Sequence, residues 1–254
     1  MLIGKPSSAL VKLGAVAVLG LGLTACAYNE SLGRNQLLIV DDSALMQQSN
    51  AAWQETLRTQ KVSTNAAQNE RVRRVGGRIV QAAGLTDRNW DYAVFTDASP
   101  NAFVLPSGQI GVTTGLLALV QNDDQLATVI GHEIAHVVAR HAAERYSTQS
   151  VAGLAIGAGQ SLAGGHAQAV GALGSLGAQL GVLLPFSRSH ELEADRLGVD
   201  YLARAGYRPG ESIKLWQIMA AQRQGSRPEF ASTHPSDQSR ISALQDYIAS
   251  RGWN

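Results

Sequence analysis

Two histidines four residues apart, His132 and His136, bracket Glu133 in the stretch GHEIAH. On a helix, positions four apart lie one turn above each other on one face, so both imidazoles aim at a single point. Neutral imidazole nitrogens are ordinary zinc ligands. Glu133 sits one step round the helix, beside that point and not on it. That is where a general base must stand to take a proton from a water on the metal. His141 lies about half a turn away from His132 and cannot join the same ion.

A catalytic zinc site needs three protein ligands and an open position. The stretch SRSHELEAD, residues 187–195, offers Glu191, Glu193 and Asp195. Glu191 and Asp195 share a helical face, and Glu193 points elsewhere. Glu191 then serves as third ligand, with Asp195 bonded to a ligand histidine from behind. The same acids also read as a solvated helix face balanced by Arg188 and Arg196. Spacing alone leaves both readings open.

The elements that must position these groups are legible as periodicity. Residues 41–59 and 65–83 have helical apolar spacing, with Val72, Val75, Ile79 and Val80 as a stripe on the second. WDYAVFTD, residues 90–97, alternates as a strand does, and Pro106-Ser107-Gly108 marks a turn between β-like runs at 101–105 and 109–112. These runs predict a small antiparallel sheet, followed by a short helix near 114–120. Asn122, Asp123 and Asp124 supply a cap and negative charge for a long helix expected over 123–145. Further helices are predicted over 187–206 and 210–224 and after residue 235. Segment 151–183 is uncharged and rich in glycine and alanine, and reads as a lid, as closely packed helices or as a membrane-touching stretch. The fold class expected is α+β, mostly helical, with the small antiparallel sheet beside the HExxH helix.

Composition sets the outer limits. The chain has 254 residues, 45% hydrophobic and 16% charged, enough for one well-packed domain. A net charge of +1 with no basic block gives no reason to expect a nucleic-acid partner. Lys5 and Lys12, the apolar run 13–23 and then Leu23-Thr24-Ala25-Cys26 have the shape of a secretory leader ending in a lipobox. Residues 1–25 are therefore expected to be a signal peptide, 26–40 a lipidated tether on Cys26, and 41–254 the catalytic domain. Cys26 is the sole cysteine, so no internal disulfide is available. Ala27 follows it where an aspartate would signal inner-membrane retention in enterobacterial lipoproteins. By that resemblance the chain faces the periplasm from the outer membrane.

GHEIAHVVARH, then SRSHELEAD, then THPSDQSRI, in that order over residues 60–250, resembles the HtpX and CaaX-prenyl-protease type of zinc metallopeptidase. These are gluzincins, with a zincin-type domain. Within them the chain is similar to the Oma-like and LoiP-type periplasmic lipoproteins. The resemblance implies one zinc per chain on His132, His136 and Glu191, Glu133 as base, and Asp195 behind a ligand. It implies that His234 and Arg240 face the substrate and stabilise an oxyanion. NAFVLPSGQIGV is similar to the family segment before the catalytic helix, which implies that Gln109, Ile110, Gly111 and Val112 form an edge strand for an extended peptide. The activity implied is cleavage of unfolded or misassembled envelope proteins. The alternative is a latent protease acting as a chaperone or assembly factor.

Overall fold

The computed structural model describes residues 26–162, 186–222, 230, 233–234 and 238–253. The expected leader, residues 1–25, and residues 163–183 of the expected lid lie outside the described residues.

The chain runs β1 (Cys26–Asn29), β2 (Arg34–Leu37), α1 (Asp42–Thr59), α2 (Ala66–Ala82), β3 (Asp91–Phe95), β4 (Ala102–Leu105), β5 (Gln109–Thr113) and α3 (Thr114–Leu119). It continues through α4 (Asp123–Val138), α5 (His141–Leu162), α6 (Arg188–Arg204), α7 (Gly210–Gln222) and α8 (Gln238–Ser250). The expected mostly helical α+β class holds.

α4 is the central element. Every residue from Gln125 to His136 is buried, so this helix is covered all round and not along one stripe. Leu126, Val129, Ile130 and Ile134 are fully buried, each contributing about 1.5–3 kcal/mol of apolar burial. Its start is fixed by Asn122, whose side chain accepts from the Gln125 amide. Asp123 pairs with Arg71 and Arg74 of α2. α6 crosses α4 at two glycines. A Cβ on Gly198 would lie 3.0 Å from the His132 amide nitrogen, and one on Gly131 3.0 Å from Leu202 Cδ1. Larger residues would hold the helices apart, and with them the two motifs.

The three-stranded sheet has the order β3-β5-β4. β4 and β5 are antiparallel, but β3 runs parallel to β5, so the sheet is mixed and not antiparallel throughout. This overturns the expectation for residues 109–112. Gln109, Ile110, Gly111 and Val112 form the central strand, hydrogen-bonded on both sides and buried along its length. The edge beside the site is β4. A hairpin read from sequence shows one partner of each strand, and β3 takes the far side of β5 through a crossover. Val94, Ala102, Ile110 and Val112 face the main core, while Ala93, Phe95 and Leu105 pack with Trp53 of α1 on the other face.

Two further departures meet at the C-terminal end of the central helix. Residues 26–37, expected as an irregular tether, form an antiparallel hairpin. Asn29 Oδ1 accepts from the amides of Ser31 and Leu32, and Gly33 closes the turn at φ 67°. The helix expected over 123–145 breaks after Val138. Arg140 takes a left-handed φ of 54°, and a new helix starts at His141. Gln36 Nε2 donates to the Ala139 carbonyl at 2.7 Å, and Asn29 Nδ2 approaches that of Val138. The hairpin thus satisfies carbonyls that the break leaves without helical partners. Among the described residues no helix is long and apolar enough to cross a membrane.

Candidate metal centre and active site

α4 and α6 deliver the two motifs to one point. His132 Nε2 and His136 Nε2 lie 3.1 Å apart. Glu191 places Oε2 3.4 Å from the first and Oε1 3.4 Å from the second. His234 Nδ1 lies 3.2 Å from His132 Nε2 and 3.1 Å from Glu191 Oε1. All four residues are buried and together form a group able to hold a metal ion.

The donor chemistry fits zinc. Asp195 Oδ1 lies 3.0 Å from His132 Nδ1, nearer than the arginine nitrogen at 3.3 Å. A carboxylate only accepts, so Nδ1 carries the proton and Nε2 presents a lone pair. His136 likewise directs Nδ1 at His141 and Nε2 at the group. Lone pairs and a carboxylate converge there, the donor set that a divalent zinc ion takes, with the Arg240 guanidinium also against Glu191 Oε2. Ligand atoms held tetrahedrally at about 2.0–2.1 Å from one ion stand about 3.3 Å apart, close to the 3.1 Å between the two Nε2 atoms and the 3.4 Å from each to a Glu191 oxygen.

The electrostatics divide the acids by task. Burial alone would raise the Glu191 carboxyl, but the Arg240 guanidinium, with a smaller contribution from His234, outweighs it and holds it well below the usual range. Arg240 also holds Asp195 ionised against its burial. Burial raises Glu133 to about 7, and Glu191 adds to the rise by repulsion. Glu133 Oε1 is buried without a hydrogen bond, 3.3 Å from His234 Nε2. A carboxylate with that affinity for a proton suits acid–base work near neutral pH.

Glu133, His136 and His234 open onto a cleft of about 510 Å³. Its walls include Leu45 and Met46 of α1, Phe103 of β4, Val137 and Phe186. Phe186 stacks on His136 with ring centroids 3.9 Å apart. The outer edge of β4 pairs with no strand among the described residues, so it can receive an extended peptide beside Glu133.

Arg240 sits elsewhere than expected. It is 2% exposed, packs against the ligand group with Nη2 3.4 Å from His132 Nε2, and is not among the residues that line the cleft. It bonds Asp195 at 2.5 and 2.8 Å and Glu191 at 2.5 Å, with its guanidinium 4.5 Å over the Trp216 ring. A group in that position is placed to orient Asp195, Glu191 and His132.

A second group escaped sequence reasoning. His141 Nδ1 lies 3.0 Å from His136 Nδ1, and its Nε2 lies 2.9 Å from Glu193 Oε2. His190 stacks on His141 at 4.3 Å and meets Glu144 at 3.2 Å. His141, Glu144 and His190 could hold a cation, but the Arg34 guanidinium already binds Glu144 and Glu193. The break at Arg140 turns His141 back onto His136, and no periodicity announces that break.

The model of peptidase family M48 matches residues 66–248. The chain belongs to peptidase family M48. Over 180 residues it is 40% identical to the mitochondrial metalloendopeptidase OMA1 of Schizosaccharomyces pombe, covering 70% of this chain and 52% of that protein. Over 199 residues it is 31% identical to the putative beta-barrel assembly-enhancing protease of Vibrio cholerae, covering 75% of this chain and 41% of that one. The human metalloendopeptidase OMA1 is 30% identical over 237 residues, 85% of this chain and 44% of its own length. This M48 chain spans about half the length, or less, of these relatives. The expected resemblance to this family of metallopeptidases holds.

Proposed function

We propose that this chain is a zinc-dependent endopeptidase of the bacterial envelope, tethered by lipid on Cys26 and cutting unfolded or misassembled periplasmic and outer-membrane proteins. The observation that carries the reading is the convergence of His132, His136 and Glu191 beside Glu133, with Glu133 and His136 opening onto a cleft edged by β4. In this reading His132, His136 and Glu191 hold one zinc, and Asp195 orients His132. A zinc ion held there supplies Lewis-acid polarisation of a peptide carbonyl and acidifies a water toward neutral pH. Glu133 takes the proton of the attacking water and returns it to the departing amine nitrogen. β4 aligns the substrate backbone, and Leu45, Met46 and Phe103 cover its apolar side chains. Unfolded proteins are the chemistry this cleft fits, since they offer extended backbone and exposed apolar residues together.

The envelope setting rests on the leader-like residues 1–25 and Leu23-Thr24-Ala25-Cys26. Cys26 is exposed at the first residue of the hairpin, accessible for acylation. The name of the Vibrio cholerae relative supports an assembly-linked envelope role.

The test is the full chain in detergent, assayed for zinc and for cleavage of casein beside Glu133→Gln. Expected are one zinc per chain in both proteins and a cleavage loss of about 10²–10⁴-fold in the variant. Cleavage at the wild-type rate by Glu133→Gln would sink the mechanism.

A second reading has an observation of its own. His234 Nδ1 stands within ligand distance of the group, and a fourth protein ligand would leave no open position. The chain would then be latent, acting as a chaperone or assembly factor until His234 withdraws. His234→Ala separates the readings: cleavage rises if His234 closes the site and falls if it serves the oxyanion.

A further inference from the structure

We infer that the N-terminal hairpin is a working part of the metal centre, with Arg34 acting through Glu193 and His141 to set the orientation of His136. The inference rests on the zinc reading above, in which His136 is a ligand.

Its basis is one unbroken line of contacts. Arg34 Nε donates to Glu193 Oε1 at 2.6 Å and Nη2 to Glu193 Oε2 at 2.8 Å, a fork-to-fork pair. Glu193 Oε2 meets His141 Nε2 at 2.9 Å. His141 Nδ1 meets His136 Nδ1 at 3.0 Å. His141 is fully buried, so no water competes for its ring nitrogens.

The order of protons along this line is forced. The Glu193 carboxylate, paired with a guanidinium, only accepts. His141 must therefore donate from Nε2, which leaves Nδ1 as its lone pair. Facing that lone pair, His136 must donate from Nδ1. Its Nε2 is then the lone pair, aimed at His132 and Glu191. Choosing the other tautomer anywhere would set two lone pairs or two N–H groups against each other. Arg34 thus fixes the ligand atom of His136 from three side chains away.

The hairpin is fastened so that this line holds. Arg34 Nη1 and Nη2 also bind Glu144 at 2.7 and 2.8 Å. Gln36, 1% exposed, bridges Glu144 and the Ala139 carbonyl. These contacts clamp the junction of α4 and α5, where His141 begins. The hairpin lies before residues 66–248, the stretch matched by the family model, so this arm is contributed from outside it. Cys26, proposed for acylation, opens the same hairpin. Membrane tether and metal centre therefore share one short segment.

Arg34 is a positioning residue, and its test must read the metal as well as turnover. The full chain in detergent is compared with Arg34→Ala, Arg34→Lys, Glu193→Gln and the double variant Arg34→Ala/Glu193→Gln. Asn35→Ala, an exposed neighbour, serves as control. Zinc affinity is measured by chelator competition and ligand geometry by the visible spectrum of the cobalt(II) form. Arg34→Ala and Glu193→Gln should each weaken zinc about 10–100-fold, as for other groups that orient a metal-bound histidine. Both should change the cobalt band and lower kcat more than they raise KM. Arg34→Lys should recover only part, since an ammonium cannot make the fork. The double variant should match Glu193→Gln, because both act on one line. Should Arg34→Ala fail to fold, the isosteric Glu193→Gln reads the same line from within α6. Wild-type affinity, spectrum and kcat in Arg34→Ala or in Glu193→Gln would overturn the inference while leaving the zinc reading intact. A wild-type chain that binds neither zinc nor cobalt would overturn both.

Discussion

Two arginines hold the proposed ligand histidines from opposite sides, and they do so in different surroundings. Arg240 comes from the C-terminal helix α8, grips Asp195, and Asp195 meets His132 directly. Arg34 comes from the N-terminal hairpin, grips Glu193, and reaches His136 only through His141. The side chains of Arg240, Asp195 and His132 are each 2% exposed, whereas Arg34 is 31% and Glu193 20% exposed. The chemistry is the same, a guanidinium fixing a carboxylate that fixes an imidazole. The dielectric differs. Charges sealed in the first arm have no substitute if a partner is lost, whereas water can solvate the members of the second. The first arm is therefore bound up with folding, and the second can be changed with the fold kept.

The largest contrast should come from removing each arginine. Arg240→Met leaves Asp195 and Glu191 buried without their counter-charge, which should cost about 3–5 kcal/mol. Urea unfolding measures it, and a loss under about 1 kcal/mol would dissolve the distinction between the arms. Arg34→Ala should cost at most about 1 kcal/mol on the same measurement, as half-exposed pairs do, although its zinc affinity falls.

Removing the metal comes next. Lone pairs of His132 and His136 and the Glu191 carboxylate face each other at 3.1–3.4 Å. Zinc at about 100 times its Kd should stabilise the chain by about 2.7 kcal/mol, a Tm rise of roughly 5–10 °C for a protein of this size. Calorimetry with and without chelator tests it. Arg34→Ala should show a smaller rise at equal zinc, because its Kd is higher. An equal rise would mean that the second arm does not reach the metal.

How much of these arms could be read in advance follows from how local their signals are. His132 and His136 were legible because helical spacing of four is a local rule, whereas for Glu191 and Asp195 spacing left a solvated face open and the family resemblance implied the ligand set; the structure groups His132, His136 and Glu191 and sets Asp195 on His132 Nδ1. α1 and α2 announced themselves through helical apolar spacing, and α4 through Asn122 at its cap; Asp41 and Asn65 prove to cap the first two. The second arm had no local signal. Arg140 adopts a left-handed backbone without being glycine, held by a junction that the hairpin clamps from about a hundred residues away. Glu193 was rightly read as pointing away from His132, but its target, His141, appears only once that turn is made. Arg240 falls on an ordinary helical pattern, and its burial is intelligible only beside two carboxylates from α6. The central place of β5 needed the parallel crossover from β3, which no turn residue encodes.

The smallest prediction separates the arms by salt. Raising ionic strength from about 0.05 M to about 0.5 M shortens the Debye length from roughly 14 Å to roughly 4 Å. Screening ions can approach Arg34 and Glu193, but they cannot approach Arg240 and Asp195. Zinc affinity of the wild-type chain should therefore fall about two- to threefold beyond the general effect of salt on zinc and chelator. Arg34→Ala has already lost the screened pair, so its affinity should follow the general effect alone. The difference between the two salt slopes isolates the hairpin's contribution without perturbing the buried arm. Parallel slopes would place the influence of Arg34 in packing at the α4–α5 junction. In that case Gln36→Ala, which removes the bond to Ala139 and leaves the guanidinium in place, should weaken zinc as much as Arg34→Ala does.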